Sequence, residues 1–340
     1  MSGDLASYLS ILNNFKRGPV MSMNGDWMNP EDNYDIPYKV CETSRTDWEV
    51  GVPMARPGSI IFFTDGSKIG SKTGAGIFGP GVNISVAMGQ WPTVFQAEIF
   101  AILECANVCL NRRYRHANIC IFSDSQAALK ALCAPKCTSK IVWESIHTLR
   151  QLCQTNSVNL YWVPGHCGIE GNEKADDLAK LGSNSQFIGP EPYCGISYCT
   201  VKMELKCWEE QRVMSKWMAV TKCNQSKKFI TPNAAHTKKL LELNKRALCI
   251  YTGLVTGHCP CRYHLKNIGR VQSDICRFCN MERETSEHLL CSCSALNGRR
   301  FKFLGSVYLQ PCEIWSATPG KVVGFINHIV PDWEMTCQGN

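Results

Sequence analysis

Four acidic residues lie where carboxylates can meet in a folded chain. Asp65 ends the apolar run SIIFFTD, and Asp124 ends the apolar run NICIFSD. Glu98 lies in a stretch with helical spacing, and Asp176 lies in a second such stretch, within HCGIEGNEKAD. Clustered carboxylates repel one another unless cations lie between them. Because hard oxygen ligands with open coordination positions suit Mg²⁺ or Mn²⁺, these acids form a candidate divalent-metal site.

Each acid, taken singly, also has an ordinary structural interpretation. An Asp at a strand end commonly serves a turn or a cap, Glu98 fits a charge near a helix N-terminus, and Asp176 fits a surface acid. The joint pattern favours the metal site. Asp65 and Asp124 share the context of strand, acid and small polar residue, and Glu98 interrupts an otherwise apolar stretch.

A cluster of cysteines forms the second candidate site. The chain has 21 cysteines, and seven of them fall within one 45-residue stretch. There the segment CRFCNMERETSEHLLCSC contains the C-x2-C pair Cys276 and Cys279, followed by His288. This spacing favours tetrahedral zinc, with either Cys291 or Cys293 closing the site.

The other cysteines predict no disulfide scaffold. They are scattered, the chain's total of 21 cysteines is odd, and no basic-then-apolar secretory signal precedes them. We therefore expect a reducing compartment, the nucleus or the cytoplasm, and not secretion. A second metal site is an open alternative, although we favour packing or capping roles for its four members, His258, Cys259, Cys261 and His264.

The elements predicted from the pattern would bring the acids together. From residue 59 to about residue 183 the predicted order is βββαβααβα, a mixed sheet of five strands flanked by helices. If the strands before Asp65 and Asp124 run parallel, the two acids share the carboxyl edge of the sheet, where ligand sites of open α/β folds collect. Helices are predicted at Val94 to Leu110, Ser139 to Gln154, Glu170 to Leu181, Thr200 to Lys222 and His236 to Thr252.

Breakers and composition divide the chain into five segments. They are a mostly irregular leader (1–57) with a short helix around Leu5 to Phe15, an α/β domain (58–183), a linker (184–198), a basic helical region (199–303) that includes a zinc module at about 258–296, and a tail (304–340).

Charge is unevenly distributed along the chain. The net charge is +7, yet residues 199–302 hold 19 Lys and Arg against 8 Asp and Glu, a balance of +11 that leaves −4 elsewhere. Such a segment suggests a polyanionic partner such as nucleic acid, and a solvated basic face is the alternative. No window of about 18 uninterrupted apolar residues occurs, so no membrane span is expected.

Four sequence blocks carry a family resemblance. TDGS (64–67), FQAEIFAI (95–102), FSDSQAAL (122–129) and VPGHCGIEGNEKADDLA (163–179) resemble the blocks that mark cellular and retroelement ribonucleases H, in the family's order and spacing. The last block, with the downstream Cys-Cys-His-Cys segment, is similar to the polyproteins of insect non-LTR retrotransposons.

The resemblance implies a ribonuclease H fold and cleavage of the RNA strand of RNA/DNA hybrids with two Mg²⁺ ions, or Mn²⁺ in their place. It implies that four acids bind the catalytic metal ions, Asp65, Glu98, Asp124 and Asp176, and that His166 assists product release. Gly66 and Ser67 would lie along the substrate, and Asn172 would fix the loop that presents Asp176. The resemblance also implies a single structural zinc ion, bound by Cys276, Cys279, His288 and, as the last ligand of the family motif, Cys293.

Two further functions are alternatives to hybrid cleavage. One is a catalytically inert nucleic-acid-binding remnant of a retrotransposon polyprotein, which the intact set of four acids argues against. The other is a transposase or junction resolvase, which the GHCGIEGNEKAD block argues against. No YADD-like or FADD-like catalytic pair occurs upstream of the α/β domain, so we expect a truncated element, a mis-split gene or a domesticated remnant. No small-molecule cofactor is expected.

The resemblance has one informative departure. Some cellular members carry a basic helix and loop that grips the hybrid, whereas here the corresponding interval is only CAPKCTSK, residues 133–140. We therefore expect the basic region to supply affinity for the duplex.

Overall fold

The structure is a computed structural model that describes residues 19–41, 43–50 and 56–331. The chain divides between Leu205 and Lys206 into two compact units. The helix expected around Leu5 to Phe15 lies outside the described residues.

The first unit contains eight strands and its own set of helices. The strands are β1 (Trp27–Asp32), β2 (Lys39–Cys41), β3 (Ile60–Ile69), β4 (Lys72–Gly79), β5 (Val82–Gly89), β6 (Asn118–Ser123), β7 (Lys136–Ser139) and β8 (Ser157–Trp162). The helices are α1 (Pro19–Ser22), α2 (Arg45–Val50), α3 (Val94–Asn111), α4 (Gln126–Leu132), α5 (Lys140–Cys153) and α6 (Glu170–Asn184).

Six of these strands form one mixed sheet in the order β2-β8-β6-β3-β4-β5. Strands β2, β8, β6 and β3 run parallel, while β3, β4 and β5 form an antiparallel meander. The mixed sheet flanked by helices is the predicted fold class, and β2 adds a sixth strand that was not predicted. Residues Lys39–Cys41 of β2 pair with β8, although they belong to the segment 1–57 that was expected to be a mostly irregular leader.

Side chains of alternate strand residues fill cores on both faces of the sheet. On β6, Ile119 and Ile121 join the main core that α3 and α5 cover. Phe122 faces the other way, where it stacks between Phe63 and Tyr161 with ring centroids 5.1 and 5.0 Å apart. Trp48 of α2 closes this second core edge-on against Phe122.

Helix α3 is the one helix in the described residues that is long and apolar enough to cross a membrane. Ten of its 18 residues are buried within the protein, so its length and composition also fit a core helix. Its apolar composition is accounted for by packing on the sheet.

Two predicted boundaries differ from the structure for reasons of packing. Strand β3 continues past Asp65 to Ile69, because its antiparallel pairing with β4 persists after its parallel pairing with β6 ends at Thr64. Helix α6 runs through Gly182 to Asn184. Gly182 does not end the helix, since its missing side chain lets α6 approach the Val86 carbonyl of β5.

The second unit is helical and has a separate core. Its helices, the first of which begins before the unit boundary, are α7 (Tyr198–Ala219), α8 (Asn224–Phe229), α9 (Ala234–Leu241), α10 (Lys245–Thr256), α11 (Arg262–Asn267), α12 (Asn297–Leu304), α13 (Pro311–Ser316) and α14 (Pro319–Ile329), with a π turn at His288–Ser292.

The helix predicted from His236 to Thr252 is two helices, because Asn244 caps a new start at α10 through its side chain. The segment predicted as a tail contributes to the core of this unit. Phe325 and Ile326 of α14 are fully buried with Leu254 and Leu289.

Candidate active site and cysteine–histidine cluster

Three of the four predicted acids meet at one edge of the sheet. The parallel register of β3 and β6 pairs Thr64 with Ser123, so the next residue on each strand is an aspartate. Carboxylate oxygens of Asp65, Glu98 and Asp124 lie within 4.8 Å of one another. Asp65 and Glu98 are buried, and Asp124 is half-buried. The structure thus places a buried acidic triad at the predicted edge.

The start of α3 fixes the position of Glu98. Thr93 and Gln96 form a capping box, in which the Gln96 N–H donates to the Thr93 hydroxyl and the Thr93 N–H donates to the Gln96 side chain. Helix and strand then meet very closely at Gly66, where an added Cβ would lie 2.6 Å from the Glu98 nitrogen. A side chain at residue 66 would therefore push Glu98 away from Asp65.

Glu98 keeps one oxygen without a partner. Its Oε2 is buried and accepts no hydrogen bond from any described residue. A buried carboxylate oxygen of this kind is costly unless a cation or a donor satisfies it. The donor chemistry of the triad, three carboxylates with one open oxygen, fits a hard divalent cation.

Burial and mutual repulsion disfavour the charged forms of these acids. Burial first, and then the carboxylates of Asp124 and Asp176, raise the pKa of Asp65 to about 7. Burial and the negative charge of Asp65 raise the pKa of Glu98 well above its usual range. Burial also raises the pKa of Asp124, against the opposing effect of His166. Bound cations would remove this penalty by neutralising the carboxylates.

Asp176, the fourth predicted acid, lies beside the triad in a second group. Its carboxylate is within 4.8 Å of ligand atoms of His166 and Glu173, and the His166 Nδ1 to Asp176 Oδ2 distance is 3.9 Å. Lys180, one helical turn later, donates to Asp176 Oδ2 at 2.6 Å. Glu173 and Lys180 were not predicted as site residues, although their spacing of three and four residues from Asp176 places them on the same helix face.

His166 stands on an exposed turn. Its side chain is 76% exposed, and its backbone adopts a left-handed conformation with φ of 54°. For a residue other than glycine this conformation is sparsely populated and occurs preferentially at functional positions. The side chain therefore lies beside Asp176 and is largely exposed to solvent.

The remaining predicted site residues lie around the triad. Gly66 is buried against α3, and Ser67 beside it is half-buried. Asn172 is buried on the first turn of α6, and its side-chain hydrogen bond to Asp124 counteracts the rise in the pKa of that carboxyl. Trp162, which was not predicted, donates from Nε1 to the Asp124 backbone carbonyl at 3.0 Å and so anchors that residue.

The comparison with protein-family models agrees with this geometry. Residues 57–184 match the family model described as RNase H. This segment is a ribonuclease H domain. The solved structure of RNase H1 from the halophilic archaeon Halobacterium salinarum NRC-1 is 21% identical and has a TM-score of 0.31, covering 37% of this chain and 98% of that chain. No curated protein matches this chain.

Outside the ribonuclease H domain, a second cluster combines three cysteines and one histidine. Ligand atoms of Cys276, Cys279, His288 and Cys293 all lie within 4.8 Å of one another. The Cys276 and Cys293 sulfurs are 3.9 Å apart, and the Cys279 sulfur is 3.4 Å from His288 Nε2. Tetrahedral zinc, with Zn–S of about 2.3 Å and Zn–N of about 2.0 Å, places its ligand atoms about 3.5–3.8 Å apart. The four side chains therefore fit zinc.

A π turn determines whether Cys291 or Cys293 lies next to His288 in the cluster. In an α-helix the residue three positions on, Cys291, would share the face of His288. In His288–Ser292 the turn is wider, and the Cys293 N–H donates to the His288 carbonyl at 2.8 Å. This brings Cys293 into the cluster. Cys291 instead lies in the apolar core, where burial raises the pKa of its thiol to about 12.

Acidic residues support the cluster from outside. Glu282 Oε2 lies 3.1 Å from His288 Nδ1, an arrangement that orients histidine ligands in metal sites. Glu284 is fully buried, bonds the Arg277 guanidinium at 2.7 Å, and accepts from the Arg262 N–H at 2.9 Å. It joins the C-x2-C loop to the start of α11.

The four residues of the alternative second site do not assemble in the same way. No group of three or more ligand atoms forms from His258, Cys259, Cys261 and His264 in the described part of the chain. The two imidazoles meet edge to face, with ring centroids 5.5 Å apart. Cys259 and Cys261 are buried in the second core, which agrees with the packing role favoured for them.

Proposed function

We propose that this protein hydrolyses the RNA strand of RNA/DNA hybrids and derives from a retrotransposon. The observation that carries the proposal is the buried triad of Asp65, Glu98 and Asp124, with its unpaired Glu98 oxygen, at the carboxyl edge of a ribonuclease H sheet. Three carboxylates in this setting cost folding energy. A catalytic requirement for cations gives a reason for their presence.

The triad and Asp176 would hold two Mg²⁺ ions, or Mn²⁺ in their place. Divalent ions bound there supply charge neutralisation at the scissile phosphate and acidify an attacking water. The negative charges of both Asp124 and Asp176 raise the pKa of Asp65, after the larger effect of burial. Asp65 would therefore help to hold both ions.

Other residues of the domain would orient the substrate and the product. The Gly66 backbone and Ser67 border the triad and would lie along the RNA strand. His166 is exposed and reaches toward Asp176, so it would contact the cleaved phosphate and assist its release. Asn172 would keep Asp124 in place through its hydrogen bond.

The basic region offers cationic side chains for contacts with phosphates. Several of its cationic side chains are exposed and form no ion pair with a carboxylate among the described residues, including Lys238, Lys239, Lys245 and Arg270. Unpaired surface cations release counterions when they meet phosphates. We propose that they supply the affinity that the short interval at residues 133–140 does not.

The Cys276, Cys279, His288 and Cys293 cluster would bind one structural zinc ion. Hydrogen bonds from the Glu282 and Met281 backbone and from His288 outweigh burial and lower the pKa of the Cys279 thiol to about 6. The lowered pKa favours the Cys279 thiolate, which is the form of cysteine that binds metal.

A cleavage assay tests the proposed activity. Wild type, Asp124→Asn and Asp177→Asn would be incubated with Mg²⁺ and an RNA/DNA hybrid, duplex DNA or duplex RNA. Asp177 is the matched control, because it is an exposed acid of the same helix as Asp176. We expect wild type and Asp177→Asn to cut the hybrid alone, and Asp124→Asn to be inactive.

Other outcomes would assign other functions. Tight hybrid binding without cleavage by wild type would indicate an inert binding protein. Cleavage of duplex DNA would indicate another polynucleotidyl transferase. Hybrid cleavage that Asp124→Asn retains in full would contradict the assigned site.

A further inference from the structure

Arg300 is a fully buried guanidinium beside the cysteine–histidine cluster. It has the largest side chain among the fully buried residues and no exposed surface. Its Nη2 donates to the carbonyls of Cys293 at 2.8 Å and Leu289 at 3.3 Å. Its Nη1 donates to the Asn297 side chain at 3.1 Å and to the Val307 carbonyl, and its buried Nε has no partner.

This cation has no carboxylate partner among the residues that the structure describes. The oxygens that it bonds are neutral, so they satisfy its donors without cancelling its charge. Removing an isolated charge from water is expensive, and buried charges in proteins are normally paired or held by a metal centre. A neutral cluster of thiols would leave Arg300 uncompensated.

The charge of a loaded cluster would supply the missing partner. Three thiolates, one neutral imidazole and one divalent ion carry one net negative charge. The Cys293 thiolate belongs to the residue whose carbonyl Arg300 bonds.

Arg300 also acts on the backbone that presents two ligands. Leu289 and Cys293 lie in and just after the π turn, where the wider hydrogen-bonding pattern frees carbonyls from α-helical partners. By bonding both carbonyls, Arg300 holds the turn that brings His288 and Cys293 together.

We propose that Arg300 is the counter-ion of an anionic zinc–trithiolate centre and a positioning residue for Cys293. The inference rests on the proposed zinc site. It adds that zinc affinity depends on the positive charge at residue 300, and that the site is built for three thiolates and not for a neutral ligand set.

The experiment measures zinc affinity in the full chain by competition with a chromophoric chelator. The variants are Arg300→Gln, which keeps a hydrogen-bond donor and removes the charge, and Arg300→Lys, which keeps the charge. Arg299→Gln is the matched control, since Arg299 is the neighbouring residue and is exposed. Circular dichroism of the zinc-loaded proteins reports whether each variant folds.

We expect Arg300→Gln to weaken zinc binding about 10- to 100-fold, the range typical of groups that support metal ligands. Arg300→Lys should recover most of that loss, and Arg299→Gln should match wild type. Equal losses in the Lys and Gln variants, or no loss in the Gln variant, would overturn the proposal. If Arg300→Gln does not fold, Arg300→Lys decides: an affinity near that of wild type supports the counter-ion, and a loss above about 100-fold overturns it.

Failure of the zinc site itself has a different signature. Wild type that binds no zinc in the competition assay would refute the proposed zinc site. Wild type that binds zinc, with variants that bind it equally well, would refute the role of Arg300 alone.

Discussion

At the scale of single residues, the ribonuclease H site is a set of acids that are costly to hold together. Asp65 and Glu98 are buried beside each other, and one Glu98 oxygen has no partner in the described residues. Functional sites commonly contain such destabilising groups, because binding of the ligand offsets the free energy that they take from folding. The same residues should therefore limit the stability of the metal-free protein.

Asp65→Asn should stabilise the metal-free protein at neutral and alkaline pH. The folded-state pKa of Asp65 is about 7, above the unfolded value of about 3.9. Between about pH 4 and pH 7 the carboxyl of Asp65 is protonated in the folded state and ionised in the unfolded state. The contribution of Asp65 to the free energy of unfolding is therefore fully present below about pH 4 and is lost as the pH rises through about 7. We expect the variant to gain on the order of 1–3 kcal/mol over wild type at pH 8.

Urea unfolding at pH 4.5 and pH 8, in buffer without divalent ions, measures this gain. Asp177→Asn is the control for a carboxylate on the surface, and its stability should follow wild type at both values of pH. Added Mg²⁺ should stabilise wild type more than Asp65→Asn. A gain for Asp65→Asn that is the same at both values of pH would contradict the assigned repulsion.

The choice between Cys291 and Cys293 is a second prediction at this scale. Cys293→Ala should lose the zinc ion, because its sulfur is 3.9 Å from that of Cys276. Cys291→Ala should keep one zinc per chain, because that thiol lies in the apolar core. Elemental analysis of the purified proteins measures the metal content. Retention of zinc by Cys293→Ala and its loss from Cys291→Ala would reverse the assignment.

At the scale of elements, local patterns predicted the strands and helices that position the triad. The runs ending at Asp65 and Asp124 predicted two neighbouring strands, and the register of β3 and β6 places these acids side by side. Glu98 could be placed on a helix from apolar spacing. Its proximity to Asp65 could not be derived from spacing, since it depends on the close approach of α3 to Gly66.

Features that depend on distant partners were beyond the sequence patterns. Strand β2 is short, and its place at the edge of the sheet depends on pairing with β8, more than a hundred residues away. Residues 133–140 lack a basic insertion, yet they contain β7, which pairs with β1 (Trp27–Asp32). The π turn was also missed, because the spacing of His288, Cys291 and Cys293 fits either cysteine.

Two exposed lysines of helix α9 allow nucleic-acid binding by the basic region to be tested. Lys238 and Lys239 are exposed on this helix and have no ion-pair partner among the described residues. Replacing both by Ala should weaken binding to a non-cleavable RNA/DNA hybrid and should reduce the slope of log K against log salt by about 2. Replacing both by Arg keeps the charge and should keep the slope. A slope that the Ala variant leaves unchanged would exclude these lysines from the interface.

At the scale of the whole molecule, charge and chemistry divide between two units. The first unit contains the ribonuclease H domain and its acids, and the second contains the cysteine–histidine cluster with most of the basic region. The net charge of +7 conceals a balance of +11 in residues 199–302. We infer that the acids of the ribonuclease H domain bind cations for catalysis, and that the basic region binds the phosphates of a nucleic acid.

The rate of hybrid cleavage under single-turnover conditions tests the central claim most directly. Wild type would be compared with Glu98→Gln, which changes the unpaired oxygen, and with Glu104→Gln, the matched control on the same helix. We predict that Glu98→Gln lowers the Mg²⁺-dependent rate roughly 1,000-fold, as expected when several kcal/mol of charge stabilisation are lost, and that Glu104→Gln retains the wild-type rate. Cleavage by Glu98→Gln at the wild-type rate would contradict the account.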